Sequence, residues 1–521
     1  MKKTFGFLVS FIFCCFLFFS CSTSEKNVAF EQLVAKQTQF DYLIQNASII
    51  DGSGVAPFKG DVLIVADSIA FIGRVDTTRI QIANILEASG KVLSPGFIDT
   101  HAHGNPLATP GFSNFVSMGV TTICLGQDGF SPEVPELKAW IAEVEAKGIR
   151  PNVIMFTGHS TLRLLSGVGY ESTPDSAGIN KMGEILEAQL AAGSFGITTG
   201  LEYTPGMYAK QGELAYLAEI TGQNGGIMMS HMRNEDNDAM EASLNELLSL
   251  GQYCPVHASH LKVVYGKGEE RANEIQKLFE VARQKGIRAT ADIYPYTASF
   301  TGIGIVFPKW AKAPNNYEQV KATRREESLD FIREKVNKRN GPDATLFGTA
   351  PYTGKTLAQV AKEKGKSFEE VLVDDIGPTG ASAAYFVMDE TLQNYLLKDS
   401  LTMLCSDGSP TMNHPRGYGS FSKMISQFVV SDSLFTLQEA IRKMTYLPAQ
   451  TLGLQDRGLL KSGYKADLLL FDPEEVTTKA TFENPFQEAE GFNQIWINGK
   501  AVKEKGVFND ENPGKVLKKQ P

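Results

Sequence analysis

Eight short β-branched or apolar runs punctuate the chain between residues 92 and 406, separated for the most part by helical stretches. They fall near 92–98, 120–126, 152–158, 196–201, 226–232, 254–261, 288–294 and 402–406. Between them PELKAWIAEVEAKG, GINKMGEILEAQLAAG and RANEIQKLFEVARQKG repeat apolar residues at intervals of three and four, the helical period. Eight strands alternating with helices predict the α/β class, specifically a (β/α)8 TIM-type barrel over residues 94–455. An open doubly wound sheet would need a Gly-rich phosphate turn after its first strand, and SPGFIDTHAHGN supplies none.

The interval from the seventh run to the eighth, 297–401, carries helical patterns of its own (KTLAQVAKEKG, FEEVLVDDI, DETLQNYLL). It is expected to be an inserted, lid-like subdomain over the C-terminal ends of the strands. Residues 39–93 and 456–510 read as short strands joined by turn dipeptides, as in NASIIDGSG and WINGK. The two chain ends are predicted to pair into one small β-sandwich domain.

Lys2 and Lys3 precede an apolar run from Phe5 to Phe19, followed by Ser20 and Cys21. Residues 1–20 therefore read as a signal peptide, similar to a bacterial lipoprotein signal in which Cys21 carries the lipid anchor. Residues 21–38 are expected to be a polar tether. The protein is expected to be exported, either as a membrane-anchored lipoprotein or into the periplasm. Beyond Cys21 only Cys124, Cys254 and Cys405 remain, an odd number without close spacing, so buried thiols are expected rather than a disulfide framework. A net charge of -9 with no basic block excludes a nucleic-acid partner.

In a barrel of this type the chemistry sits at the C-terminal strand ends. There lie His101 and His103, Asp128, His159, Glu202 and Tyr203, His231 and Arg233, His257, His260 and Lys262, Asp292, Tyr294 and Tyr296, and Asp407. Six of the seven histidines fall at that one end, which points to a metal-dependent hydrolase.

PGFIDTHAH, GVTT, SHMRNE, SHLK and CSDG resemble the amidohydrolase superfamily. TGHSTLR, GITTGLEYTPG, YPYTAS and HPRGYGSF resemble, more closely, the D-aminoacylase (N-acyl-D-amino-acid deacylase) family, from about residue 40 to 505. The resemblance implies a zinc enzyme that hydrolyses the amide of an N-acylated D-amino acid. By position it implies His101, His103, His231 and His260 as metal ligands and Asp407 as the general base. Where the family has GNCG, with a cysteine ligand, this chain has GQDG. Asp128 thus stands in place of a thiolate, and as a harder ligand it would admit one or two zinc ions or another divalent metal.

The resemblance makes Lys262 a contact for the substrate carboxylate, which Tyr294 or Tyr296 and Arg416 could complete. Arg233 shares a strand face with His231, and His159 would touch substrate or bond the next loop. The expected partner is a small molecule, an N-acyl amino acid or a dipeptide. Alternatives are a dipeptidase for peptides ending in a D-residue, a hydantoinase-like cyclic amidase, and a non-catalytic surface lipoprotein. The cyclic amidases use a carboxylated lysine after the fourth strand, where this chain has none before Lys210.

Overall fold

The computed structural model describes residues 28–519; the expected signal peptide and Cys21 lie outside them. Among the described residues no helix is long and apolar enough to cross a membrane. The expected tether is partly folded: the chain is helical from Val28, and Phe30 is buried with its ring 5.2 Å from that of Phe71.

The barrel strands are Phe97–Asp99, Val120–Leu125, Asn152–Met155 continuing as Thr157–Gly158, Gly196–Gly200, Ile227–His231, Val256–Ala258, Ala289–Ile293 and Thr402–Leu404. Successive strands pair in parallel, and a parallel bridge between Ala102 and Gly408 joins the eighth to the first. Val120–Leu125 is buried at every position, because the barrel interior covers one face and helices the other. The helix Ser176–Ala191 illustrates how the outer ring forms. Asp175 caps it by accepting the Gly178 N–H at 2.8 Å, and Met182, Leu186 and Leu190, four apart, bury one stripe.

Two boundaries differ from expectation. The run 92–98 divides at Gly96: Val92–Pro95 joins the small β domain, and only Phe97–Asp99 enters the barrel. A Cβ at Gly96 would sit 2.2 Å from Thr121 Oγ1, so only glycine lets the two strands approach there. The run 152–158 is likewise split. Its first half pairs with the second strand and with the C-terminal Val516–Leu517, its second half with the fourth strand.

The chain ends meet in one nine-stranded sheet, with Leu468–Phe471 antiparallel to Val92–Pro95 at the join. The expected sandwich is thus a single hydrogen-bonded sheet. Ile44, Leu468 and Trp496 line one core, and Leu43, Leu63 and Phe71 line another with Phe30. Leu469 and Ile495 join the barrel core, which fixes the sheet against it.

The insertion begins as expected but ends earlier. Ala298–Gly302, Ser382–Phe386 and Thr345–Phe347 form a three-stranded antiparallel sheet. It shares a separate core with the helix Tyr317–Lys338, through Ile303, Phe307, Ile332 and Leu372. Helix Glu390–Lys398, assigned to the lid from sequence, is a barrel helix. Its Leu392, Leu396 and Leu397 belong to the barrel core.

Candidate metal centre

Six side chains from five strand ends face one another at the mouth of the barrel. Asp128 is central. Its Oδ1 lies 3.1 Å from His260 Nε2, 3.3 Å from His101 Nε2 and 3.8 Å from His231 Nδ1, and its Oδ2 is 3.5 Å from His103 Nε2. Asp407 Oδ1 is 3.2 Å from His103 Nε2 and 3.8 Å from His101 Nε2. The potential ligands fall into three sets: His101, His103, Asp128 and Asp407; Asp128, His231 and His260; and Glu202, His231 and Glu235. Asp128 belongs to the first two.

Local backbone geometry aims these groups. Gly126, at φ +85°, ends the second strand where a Cβ would meet Phe156 O at 2.2 Å, and the chain then turns Asp128 into the mouth. Asp128, His260 and Asp407 themselves have left-handed φ values of 54°, 38° and 47°. Such conformations cost energy in non-glycine residues and gather where function over-determines them. His260 is held by its N–H, which donates to Asp292 Oδ1 at 2.5 Å. Its Nδ1 faces Glu235 Oε1 at 3.3 Å and Lys262 Nζ at 2.7 Å. An acceptor at Nδ1 leaves Nε2 free to ligate.

The donor set suits a divalent cation. Both ring nitrogens of the fully buried His101 lack a hydrogen-bond partner, and His231 Nδ1 and His260 Nε2 face each other at 3.0 Å. Imidazole nitrogens and carboxylate oxygens converging in this way are ligands for zinc and its neighbours. Burial alone would raise the two central carboxyls. His101 and His260 nevertheless hold Asp128 well below the usual range, and Arg416 and then His260 do the same for Asp407. Arg416 Nη1 is 2.9 Å from Asp407 Oδ2.

These groups open into a cavity of about 620 Å³, walled by barrel loops and by Phe300, Ile305, Arg339 and Ser382 of the insertion. His103, Asp128, His231, His260, Asp407, Lys262 and Arg416 all line it. Four expected substrate residues do not. His159 is buried with Nε2 2.7 Å from Glu213 Oε1, which also takes Arg163. Arg233 is bound in a fork by Glu246 at 2.8 and 2.9 Å. Tyr296 packs edge-on to His414, with ring centroids 5.5 Å apart. Tyr294 is buried behind the wall, its ring 4.6 Å from the Arg416 guanidinium and 5.9 Å from Lys262 Nζ, so it supports both cations rather than meeting substrate. His257 is also structural, with Nε2 2.9 Å from Asp292 Oδ2.

Tyr203, placed at a strand end by the sequence but given no role there, also lines the cavity, as do Glu235 and Arg339, which the sequence did not bring forward as site residues. The first two follow strand ends that carried a signal. Arg339 comes from the insertion, where nothing local marks it. Asp128 stands between the histidines and Lys210 is exposed, so the lysine-bridged arrangement of cyclic amidases is absent among the described residues.

The Amidohydrolase family profile matches residues 349–502. An N-acyl-D-glutamate deacylase of Alcaligenes xylosoxydans xylosoxydans is 31% identical over 516 residues, covering 93% of this chain and 97% of that protein. A D-aminoacylase of the same organism is 30% identical over 513 residues, covering 92% and 97%. Among solved structures, N-acyl-D-glutamate deacylase from Bordetella bronchiseptica, complexed with zinc and a phosphonate mimic of the tetrahedral intermediate, matches with a TM-score of 0.81. It is 29% identical and covers 92% of this chain and 100% of its own. An L-hydantoinase from Arthrobacter aurescens, at 16% identity and a TM-score of 0.55 with 92% of this chain and 100% of its own covered, shares the fold alone. By its motifs, its barrel and these full-length likenesses, the chain belongs to the D-aminoacylase, or N-acyl-D-amino-acid deacylase, family of amidohydrolases.

Proposed function

We propose that the protein hydrolyses the amide bond of N-acyl-D-amino acids in a metal-dependent reaction, releasing a carboxylate and a free D-amino acid. The observation that carries this reading is the pair of ligand sets that share Asp128 at the floor of the cavity. His101, His103, Asp128, His231 and His260 would hold one or two zinc ions. A bound divalent ion polarises the scissile carbonyl and lowers the pKa of water towards about 7.

The chain's own groups supply the proton traffic. Asp407, kept ionised beside Arg416, takes a proton from the attacking water and returns it to the leaving nitrogen as the C–N bond breaks. The substrate's α-carboxylate is received by Lys262 and Arg416, the two cations of the cavity wall that Tyr294 backs. Stereochemistry rests on the relatives, whose names specify D-amino acids. Export and lipid attachment through Cys21 belong to the same reading and are supported by the N-terminal sequence.

The direct test is to reconstitute the protein with zinc and follow amine release from N-acetyl-D-amino acids, their L-enantiomers and L,D-dipeptides. Hydrolysis of the N-acetyl-D compounds is expected. Failure on every N-acyl-D-amino acid would overturn the proposal, and a marked preference for the dipeptides would convert it to a peptidase.

A further inference from the structure

Four arginines are buried among the described residues: Arg163, Arg339, Arg416 and Arg457. Two are ordinary structural arginines. Arg163 donates Nε to Gly169 O at 2.8 Å, Nη1 to both Glu213 oxygens at 2.6 Å and Nη2 to Glu171 O. Arg457 donates to Asp467 and, at 2.8 Å, to Asn498 Oδ1. Arg339 and Arg416 differ. Both line the cavity; Nε and Nη1 of Arg339 lack a hydrogen-bond partner, as does Nε of Arg416, whose Nη1 is held only in an ion pair. Arg416 at least has Asp407 at 2.9 Å and Phe300 O at 3.2 Å.

Arg339 has less. It is 3% exposed, and its one ion pair among the described residues is with Asp236 Oδ1, 3.5 Å from Nη2. The other oxygen of Asp236 is taken by Lys335 Nζ. Lys312, also from the insertion, is within electrostatic reach of Arg339 and Glu202, and Glu202 in turn of Glu235. Arg339 and Lys335 thus share the one carboxylate of Asp236. The residue sits just beyond the helix Tyr317–Lys338, and the chain then turns away through Asn340 and Gly341 at φ 67° and 82°. Its ring neighbour is Tyr385, 5.8 Å away. Burying two guanidinium N–H groups without a protein partner is costly, and an anion paired with the guanidinium would offset that cost.

We infer that Arg339 receives a second carboxylate of the substrate, beyond the α-carboxylate assigned to Lys262 and Arg416. This rests on the deacylase reading and narrows it to dicarboxylic substrates. A carboxylate matches the planar fork of a guanidinium with two parallel bonds, which a neutral carbonyl cannot do. The group has two chemical sources: an acidic side chain on the D-amino acid, or a distal carboxylate on the acyl moiety.

Three substrates separate these cases: N-acetyl-D-glutamate, N-succinyl-D-leucine and N-acetyl-D-leucine. With the zinc-loaded wild-type protein, kcat/KM for one of the first two is expected to exceed that for N-acetyl-D-leucine by at least about a hundredfold. Which of the two it is identifies the source. R339M should reduce that preference at least about thirtyfold, chiefly through KM, and R339K, which keeps the charge without the fork, should restore part of it. Equal use of all three substrates by the wild type, or an equal loss on all three in R339M, would overturn the assignment. The wild-type ratio needs no variant, so a poorly folding R339M does not blunt the test. Hydrolysis of none of the three would instead overturn the deacylase reading itself.

Discussion

Replacing Asp128 with alanine removes the one side chain common to the His101/His103 and His231/His260 ligand sets. Its carboxylate lies 3.1 Å from His260 Nε2 and 3.3 Å from His101 Nε2, with the side chain only 14% exposed. Removing one member of a buried charge pair costs about 3–5 kcal/mol. At about 1.4 kcal/mol per tenfold, metal retention should weaken on the order of 10²- to 10⁴-fold. Equilibrium dialysis against buffered zinc followed by elemental analysis measures this, with circular dichroism to show that the fold persists. Asp128→Cys should keep zinc, since a thiolate is a softer and stronger ligand. Were Asp128 a helix cap, its loss would cost only about 0.5–2 kcal/mol of stability and leave metal alone. The next helix begins only at Leu137, with Glu136 at its cap position, so that role is not available to it. Full metal occupancy of the alanine variant at wild-type affinity would refute the bridging assignment.

Asp407→Asn should lower turnover at least about a hundredfold while leaving metal content near wild type, because it removes the proton acceptor; undiminished turnover would contradict the role. Glu213→Gln should cost about 3–5 kcal/mol of stability by denaturant midpoint, since it strands the buried Arg163 and His159, and should leave bound metal unchanged. Burial raises the Glu213 carboxyl, but His159 and Arg163 outweigh it and hold the carboxyl below its ordinary 4.5. This contribution is therefore present above about pH 4.5 and lost as pH falls below it. A pair whose stabilisation persists in acid would contradict the assignment. Cys21→Ser should abolish membrane attachment, and persistence of the variant in the detergent phase would argue for an uncleaved apolar anchor instead.

The alternation of strand and helix was legible because the barrel strands are buried on both faces and read as continuous apolar runs. The candidate ligand positions were legible because they sit at or just past the ends of those runs, where His101 and His231 both face Asp128. What local pattern could not reveal was set by tertiary contact. Gly96 looks like part of a strand, yet its packing on Thr121 divides the two domains. Glu390–Lys398 reads as one more lid helix until its leucines are found in the barrel core. Alternation along the sixth strand cannot place His260, because the strand stops at Ala258 and a left-handed turn follows. Tyr294, Tyr296, His159 and Arg233 stand at strand ends but point into packing or onto neighbouring acids. The polar pattern around them is the same as that of a true lining residue. Arg339 belongs to the cavity only because the insertion folds over the barrel mouth, and no spacing in its own segment announces that.

The most direct test joins metal to chemistry and handedness in one titration. The protein is stripped with a chelator, and zinc is returned stepwise while amine release from an N-acyl-D-amino acid and its L-enantiomer is followed. Activity on the D-substrate should vanish on stripping and return as zinc binds, with the L-substrate left largely untouched. A stripped protein that still hydrolyses the D-substrate, or a zinc-loaded one that hydrolyses neither, would contradict the assignment of His101, His103, Asp128, His231 and His260 to a catalytic metal centre.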